Sequence, residues 1–300
     1  MPSSSVFADQ ERVVPGLAGA RRRDRERLPL AEVDFDRTEA LPRGADYFDL
    51  VFRLEAECEA NTLAYLPNAG KKAPRTWAWL GTNLAVVDAL SSCWWGCHGG
   101  DHVVEHLLGR AVGSLRATVR LARAGLYDES FNALRTAGEI VNLLTLFHAD
   151  SALLQQWRAA SPRDRFSLAR PTIVMKRLAA AGRAESSLNS DKYDLFSRIA
   201  HGNTSDAPQA HNPVGLPFTS GTFQEAGLLV ALNEAALTVA LAILAGIQLI
   251  GLDAGLSRKL LDDARALVET TGAITLTSVG EALNAQRDAV IRDLGSADAK

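Results

Sequence analysis

The order of apolar and polar residues predicts a chain of helices. Apolar side chains recur at three- and four-residue spacing over long stretches, which is the period of one helix face. The eleven prolines lie before Arg75, at Pro162 and Pro171, and between Pro208 and Pro217. Because proline breaks helices, long helices can run between these positions. We therefore expect an all-α fold, a multi-helix bundle with a long buried central helix and an N-terminal arm.

Local signals set the expected helix boundaries. Gly125 predicts a tight turn, and Ser161 followed by Pro162 fits the N-cap and first turn of a helix. Ser278 and Glu281 have the spacing of a capping box. A tryptophan-rich stretch covers 77–95. The predicted helices are 46–65, 101–124, 128–149, 162–181, 188–201, 223–251, 257–269 and 278–294.

The expected domain organisation is one extended arm and one helical domain. Residues 1–43 are punctuated by four prolines, and 20–27 carries five arginines in eight residues. That run is either a solvated charged stretch or a contact for phosphate. Residues 44–300 form the expected single bundle, with polar motifs in 101–204, the buried helix in 223–252 and C-terminal helices in 257–294. The segment 202–222 lacks periodicity, which is typical of a functional or disordered loop.

Composition excludes several classes of protein. The chain of 300 residues contains 48 alanines and 42 leucines but only 6% aromatic residues, which argues against a β-rich fold. A net charge of −3 excludes a general polyanion binder, though not a local basic patch. Three cysteines do not make a disulfide framework, and the first ten residues lack an apolar run, so we expect a cytoplasmic protein. We also expect no cofactor.

The segment 228–252 is apolar enough to resemble a membrane span. Asn233 and Glu234 lie side by side within it, and the nearest following basic residue is Arg258. These features favour a buried helix in a soluble bundle over a membrane helix. The helix 223–252 is also an expected packing surface for a second copy of the chain or another protein.

Two helices carry rows of polar residues that interrupt the apolar pattern. In 131–148, Arg135 and Glu139 are one turn apart, and Gly138 between them permits close approach of a neighbouring helix or a ligand. In 188–201, Tyr193, Ser197 and His201 follow one helical row. In the first of these helices Asn132, Arg135, Thr136, Glu139 and Asn142 form a polar arc on one side. Leu143 and Leu146 also fall within this arc, so we expect it to be partly buried.

These two segments resemble a known class. Residues 122–147 read ARAGLYDESFNALRTAGEIVNLLTLF, and 193–203 read YDLFSRIAHGN. An Arg-x3-Glu helix after a hairpin turn, followed by a Tyr-x3-Ser-x3-His helix end, resembles a group of uncharacterised bacterial all-helical proteins, which are themselves similar to the HEPN class. Many HEPN domains are RNA-cutting toxins or phage-defence effectors. The resemblance, over about 100 to 110 residues, implies one shared site containing Arg135, Glu139, Tyr193, Ser197 and His201.

The chain also departs from the class. HEPN ribonucleases resemble one another in an Arg followed four to six residues later by His, whereas Arg198 is three residues before His201. A histidine can act as a general base or acid, and an arginine can hold a phosphate. We therefore expect an effector that binds RNA or a nucleotide, with metal-independent cleavage an open question. The candidate catalytic residues are Arg135, Glu139, Arg198 and His201, and the candidate binding residues are Tyr193, Ser197 and Asn203.

Two alternative interpretations require neither RNA binding nor catalysis. The polar rows fit a structural network that ties two helices together without a ligand. The chain as a whole fits a non-catalytic helical module for protein–protein interaction or small-ligand sensing.

A second cluster contains metal-binding residue types. Cys93 and Cys97 precede His102 and His106, which share one face if both lie on a helix. Together they fit either a Cys2His2 zinc site or a hydrophobic turn followed by a histidine-bearing helix, and the spacing does not decide between the two. Four of the five tryptophans lie within 77–95, which favours core or a subunit interface over a base-stacking platform.

Overall fold

The computed structural model describes residues 45–97, 100–182, 187–200, 221 and 223–271. These residues form ten α-helices, a short 3-10 helix at Leu66–Asn68 and no strand, so the all-α prediction is confirmed. The helices are α1 (Ala45–Tyr65), α2 (Lys72–Ser91), α3 (Val103–Arg123), α4 (Tyr127–Ala149), α5 (Ser151–Ala159), α6 (Pro162–Leu168), α7 (Pro171–Ala180), α8 (Ser190–Ala200), α9 (Glu225–Ile250) and α10 (Ala254–Thr270).

Helices α3 and α4 form the predicted hairpin. Gly125 joins them with a φ of 76°, a left-handed conformation that glycine adopts without steric cost. The Ser130 hydroxyl donates a buried 2.9 Å hydrogen bond back to the Thr118 carbonyl. Leu108, Leu115 and Phe131 are fully buried along the seam. The hairpin therefore presents one continuous apolar face to the rest of the bundle.

Helix α9 lies at the centre and packs against α2, α3, α4 and α10. It is long and apolar enough to cross a membrane, yet 78% of its most apolar 18-residue window is buried inside the protein. Asn233 and Glu234 are buried within it as well. Because helices of the same chain cover most of its apolar surface, α9 forms the core of the bundle.

One close approach fixes α9 against the hairpin. A Cβ at Gly227 would lie 2.7 Å from the Tyr127 ring, which only glycine avoids. The Tyr127 hydroxyl accepts a hydrogen bond of 3.1 Å from the Gln224 backbone N–H just before α9. Burial raises the pKa of Tyr127 above its ordinary value, so the phenol stays protonated.

Several predicted boundaries were wrong. The helix predicted over 162–181 is two helices, because Pro171 starts α7 after α6 has ended at Leu168. Helix α5 was not predicted; Asp150 caps it by accepting from the Leu153 N–H. Helix α10 begins at Ala254, three residues before the predicted start at 257, and Asp253 caps it by accepting from the Leu256 N–H. The N-cap prediction at Ser161 is confirmed by its bond from the Asp164 N–H.

Part of the sequence-based description lies outside the residues that the structure describes. This applies to the arm 1–43 with its arginine run, most of the loop 202–222, and the helix predicted over 278–294. The tryptophan-rich stretch lies within the described residues, and its four tryptophans differ in exposure. Trp77, Trp79 and Trp95 pack partly buried against the core, whereas Trp94 is 77% exposed.

Candidate functional site

Arg135 on α4 is held by two side chains. Its Nε donates to Glu139 Oε1 at 3.0 Å, one turn along the same helix, as the sequence predicted. Its Nη2 donates to the Tyr193 hydroxyl of α8 at 2.8 Å. We call Arg135, Glu139 and Tyr193 the Arg135 site. A guanidinium held by a carboxylate and a phenol has a fixed position and orientation.

Arg135 also stacks on Tyr193, and all three residues of the site remain partly accessible. The Arg135 guanidinium carbon lies 4.5 Å from the centroid of the Tyr193 ring, within the range of a cation–π contact. The Arg135 side chain is 19% exposed and that of Glu139 is 31% exposed. Among the residues that the structure describes, two hydrogen bonds use two of the five N–H donors of the guanidinium. Within that part of the chain the site is partly accessible and keeps donor capacity for a ligand.

The segment that leads into α8 is fastened to α4 by Asn142. The Asn142 side chain accepts from the Ser187 N–H at 2.8 Å and donates to the Leu188 carbonyl at 2.8 Å. Leu188 packs against Gly138, where a Cβ would lie 2.7 Å from its Cγ. Gly138 thus permits the close approach predicted from the sequence, and the neighbour is the segment before α8. The predicted partial burial of the polar arc is also confirmed, since Asn142 is 2% exposed.

A second polar connection, which sequence reasoning missed, joins α8 to the central helix. Lys192 Nζ lies 2.7 Å from Glu234 Oε2, and Glu234 is only 3% exposed. The Ser187 hydroxyl lies 2.9 Å from the Thr238 hydroxyl on α9. The signal in the sequence was Glu234 within an apolar helix, because a buried carboxylate requires a partner. That partner comes from residue 192, which no local spacing reveals.

The other predicted site residues are placed in different ways. Ser197 is partly buried one turn after Tyr193, and Arg198 is exposed on the same helix. His201 and Asn203 lie outside the described residues. The described structure therefore brings together Arg135, Glu139 and Tyr193.

The cysteine and histidine cluster forms in part. The ligand atoms of Cys93, Cys97 and His102 all lie within 4.8 Å of one another. His106 is not in this group. His102 has a φ of 51° and precedes α3, so the predicted sharing of one helix face by His102 and His106 does not occur. Cys58 is buried elsewhere, and burial raises the pKa of its thiol to about 12.

A cavity of about 100 Å³ lies between α2, α9 and α10. Its lining includes Thr76, Asn233 and Thr270 and none of the residues of the Arg135 site. The accessible groups of the Arg135 site are therefore on the surface rather than in this cavity.

Comparison with known proteins found no relative. No family model matches the chain, and no curated protein and no solved structure matches it.

Proposed function

We propose that this protein is a HEPN-like helical effector that binds RNA or a nucleotide in the cytoplasm at the Arg135 site. The observation that carries the proposal is the Arg135 guanidinium, which is fixed against the Tyr193 ring and keeps N–H donors that no described residue uses. A preoriented arginine is suited to phosphate, and an accessible tyrosine ring is suited to a base. Binding does not require His201, on which cleavage would depend.

Two substitutions at the Arg135 site should change RNA affinity in opposite directions. Arg135→Met removes the phosphate contact, so the affinity for single-stranded RNA should fall about tenfold, a loss of about 1.4 kcal/mol. Its salt dependence should weaken by about 0.7 in the slope of log K against log salt, since one phosphate contact is lost. Glu139→Gln removes a competing negative charge and should raise the affinity about threefold. Fluorescence anisotropy with a labelled oligonucleotide and a labelled nucleotide measures both effects.

The matched control is Arg116→Met, which removes an exposed arginine on α3. It should leave the affinity nearly unchanged. A purely structural network predicts that both Arg135 and Glu139 variants lose stability while neither changes RNA affinity or its salt slope. That result would overturn the proposal. Cleavage of the same RNA by wild type and by His201→Ala tests separately whether binding leads to catalysis.

A second candidate function is protein–protein interaction, and exposed aromatic residues on α1 favour it. Tyr47, Phe48 and Phe52 are 43%, 58% and 60% exposed. The ring centroids of Phe48 and Phe52 lie 6.1 Å apart, in a stacked arrangement. Adjacent exposed rings of this size are typical of interaction surfaces.

Oligomeric state distinguishes this candidate. If α1 mediates self-association, sedimentation of the full chain should show a dimer, and Phe48→Ser with Phe52→Ser should shift it to monomer. Leu261→Ser is the control, since Leu261 is an exposed apolar residue on α10. A wild-type monomer at high concentration would contradict self-association through α1.

A further inference from the structure

The turn after α2 and the residue before α3 bring two thiols and an imidazole together. Cys93 Sγ lies 3.6 Å from His102 Nδ1, and Cys97 Sγ lies 3.7 Å from His102 Nε2. Cys93 and His102 are partly buried, and Cys97 is exposed. The cluster is separate from the Arg135 site, which is formed by α4 and α8.

The separations fit a tetrahedral metal. Bonds of about 2.3 Å from zinc to sulfur and about 2.0 Å from zinc to nitrogen place a sulfur and a nitrogen on the same ion about 3.5 Å apart at a tetrahedral angle. With His102 Nε2 as the ligand, its distance to Cys97 Sγ is close to that value, and one donor atom from each of the three residues lies within 4.8 Å of the other two. Thiolate and imidazole are also the donors that zinc prefers among protein side chains. Geometry and chemistry of the three donors therefore agree.

The backbone supplies an independent observation. Among the non-glycine residues that the structure describes, positive φ occurs at Cys93 and His102, with values of 55° and 51°. Residues with a Cβ adopt this conformation at a cost, and such residues concentrate at functional sites. Here both of them belong to the cluster. The two residues with this conformation are also the pair whose Sγ and Nδ1 atoms lie 3.6 Å apart.

A carboxylate completes the surroundings of the imidazole. Glu105 Oε1 lies 3.4 Å from His102 Nδ1, and its side chain is 14% exposed. A histidine that binds metal through one ring nitrogen commonly donates its other N–H to a carboxylate, which fixes the orientation of the ring. Glu105 is in position for that role when Nε2 is the ligand.

We propose that Cys93, Cys97 and His102 bind a zinc ion, with Glu105 orienting His102. Three protein donors leave the fourth tetrahedral position to water or another donor. The site lies between α2 and α3, so metal binding fastens the α2–α3 connection. Binding releases the thiol protons as each cysteine becomes a thiolate. This inference does not depend on the proposed RNA binding.

Cobalt binding to the full chain tests the site. The protein is stripped with a chelator under reducing conditions and titrated with Co²⁺, which reports tetrahedral thiolate ligation through its visible and near-ultraviolet absorption. We expect saturation at one Co²⁺ per chain and displacement by one equivalent of Zn²⁺. Cys93→Ser and Cys97→Ser should each lower the affinity at least tenfold and weaken the sulfur-to-cobalt absorption. Glu105→Gln should lower the affinity about tenfold with the absorption retained.

Two matched variants serve as controls. Cys58→Ala removes the buried cysteine, and His106→Ala removes the exposed histidine that follows the cluster on α3. Neither should change the cobalt spectrum. The proposal is overturned if stoichiometric Co²⁺ gives no thiolate absorption, or if Cys93→Ser and Cys97→Ser both bind Co²⁺ as the wild type does. Circular dichroism of each variant separates a lost ligand from a lost fold.

Discussion

Replacing Lys192 with methionine is expected to lower the free energy of unfolding by about 3 kcal/mol. The ammonium of Lys192 lies 2.7 Å from the carboxylate of Glu234, which is 3% exposed on the central helix. The substitution keeps the length of the side chain but removes its positive charge. The buried carboxylate then loses the cation that compensates its removal from water. Urea unfolding followed by circular dichroism measures the change.

Replacing the other partner, Glu234, should lower the free energy of unfolding by less. Glu234→Gln leaves Lys192, which at 19% exposed can turn its ammonium toward solvent, so we expect a loss of about 1 kcal/mol. The double variant should be more stable than Lys192→Met alone, because it buries no charge. Lys176→Met, on the exposed side of α7, is the control and should change stability by less than about 0.5 kcal/mol. Equal effects of Lys176→Met and Lys192→Met would contradict the importance of the pair.

A comparable loss, about 3 kcal/mol, is expected for Asn142→Ala. Asn142 bonds both the Ser187 N–H and the Leu188 carbonyl in the interior. Each buried backbone group left without its partner costs about 1–3 kcal/mol. Because these bonds fasten the segment before α8, the amide protons of α8 should also exchange faster. Hydrogen exchange measured by mass spectrometry reports that local effect alongside urea unfolding.

Asn132→Ala provides the matched comparison on the same helix. Asn132 is partly exposed, ten residues before Asn142, so its replacement should cost less than about 1 kcal/mol. Its α8 exchange should match that of the wild type. If Asn142→Ala leaves α8 protected, then α8 is held by packing of its apolar residues and not by the Asn142 hydrogen bonds.

Much of the fold could be predicted because the relevant signals are local. The hairpin followed from two amphipathic stretches and Gly125, and the central helix followed from its apolar length. The pairing of Arg135 with Glu139 and the close approach at Gly138 were likewise predictable, since both depend on helix geometry. Local spacing determines such features before any tertiary contact forms.

The rest depended on contacts between residues that are distant in sequence. Nothing near Lys192 or Asn142 indicates that one meets Glu234 and the other meets Ser187. The cysteine–histidine cluster was predicted to contain Cys93, Cys97, His102 and His106. His106 does not belong to it, because His102 adopts a left-handed backbone and precedes the helix. Backbone exceptions of that kind carry no periodic signal in the sequence.

The position of α9 in the chain affects how the protein is made. Its partners α2, α3 and α4 are complete by Ala149, whereas α9 begins at Glu225. At about 5–20 residues per second, a ribosome needs several seconds to synthesise the intervening segment. During that interval the hairpin exposes the apolar surface that α9 later covers. That surface is where nascent chains can associate with one another before α9 has been synthesised.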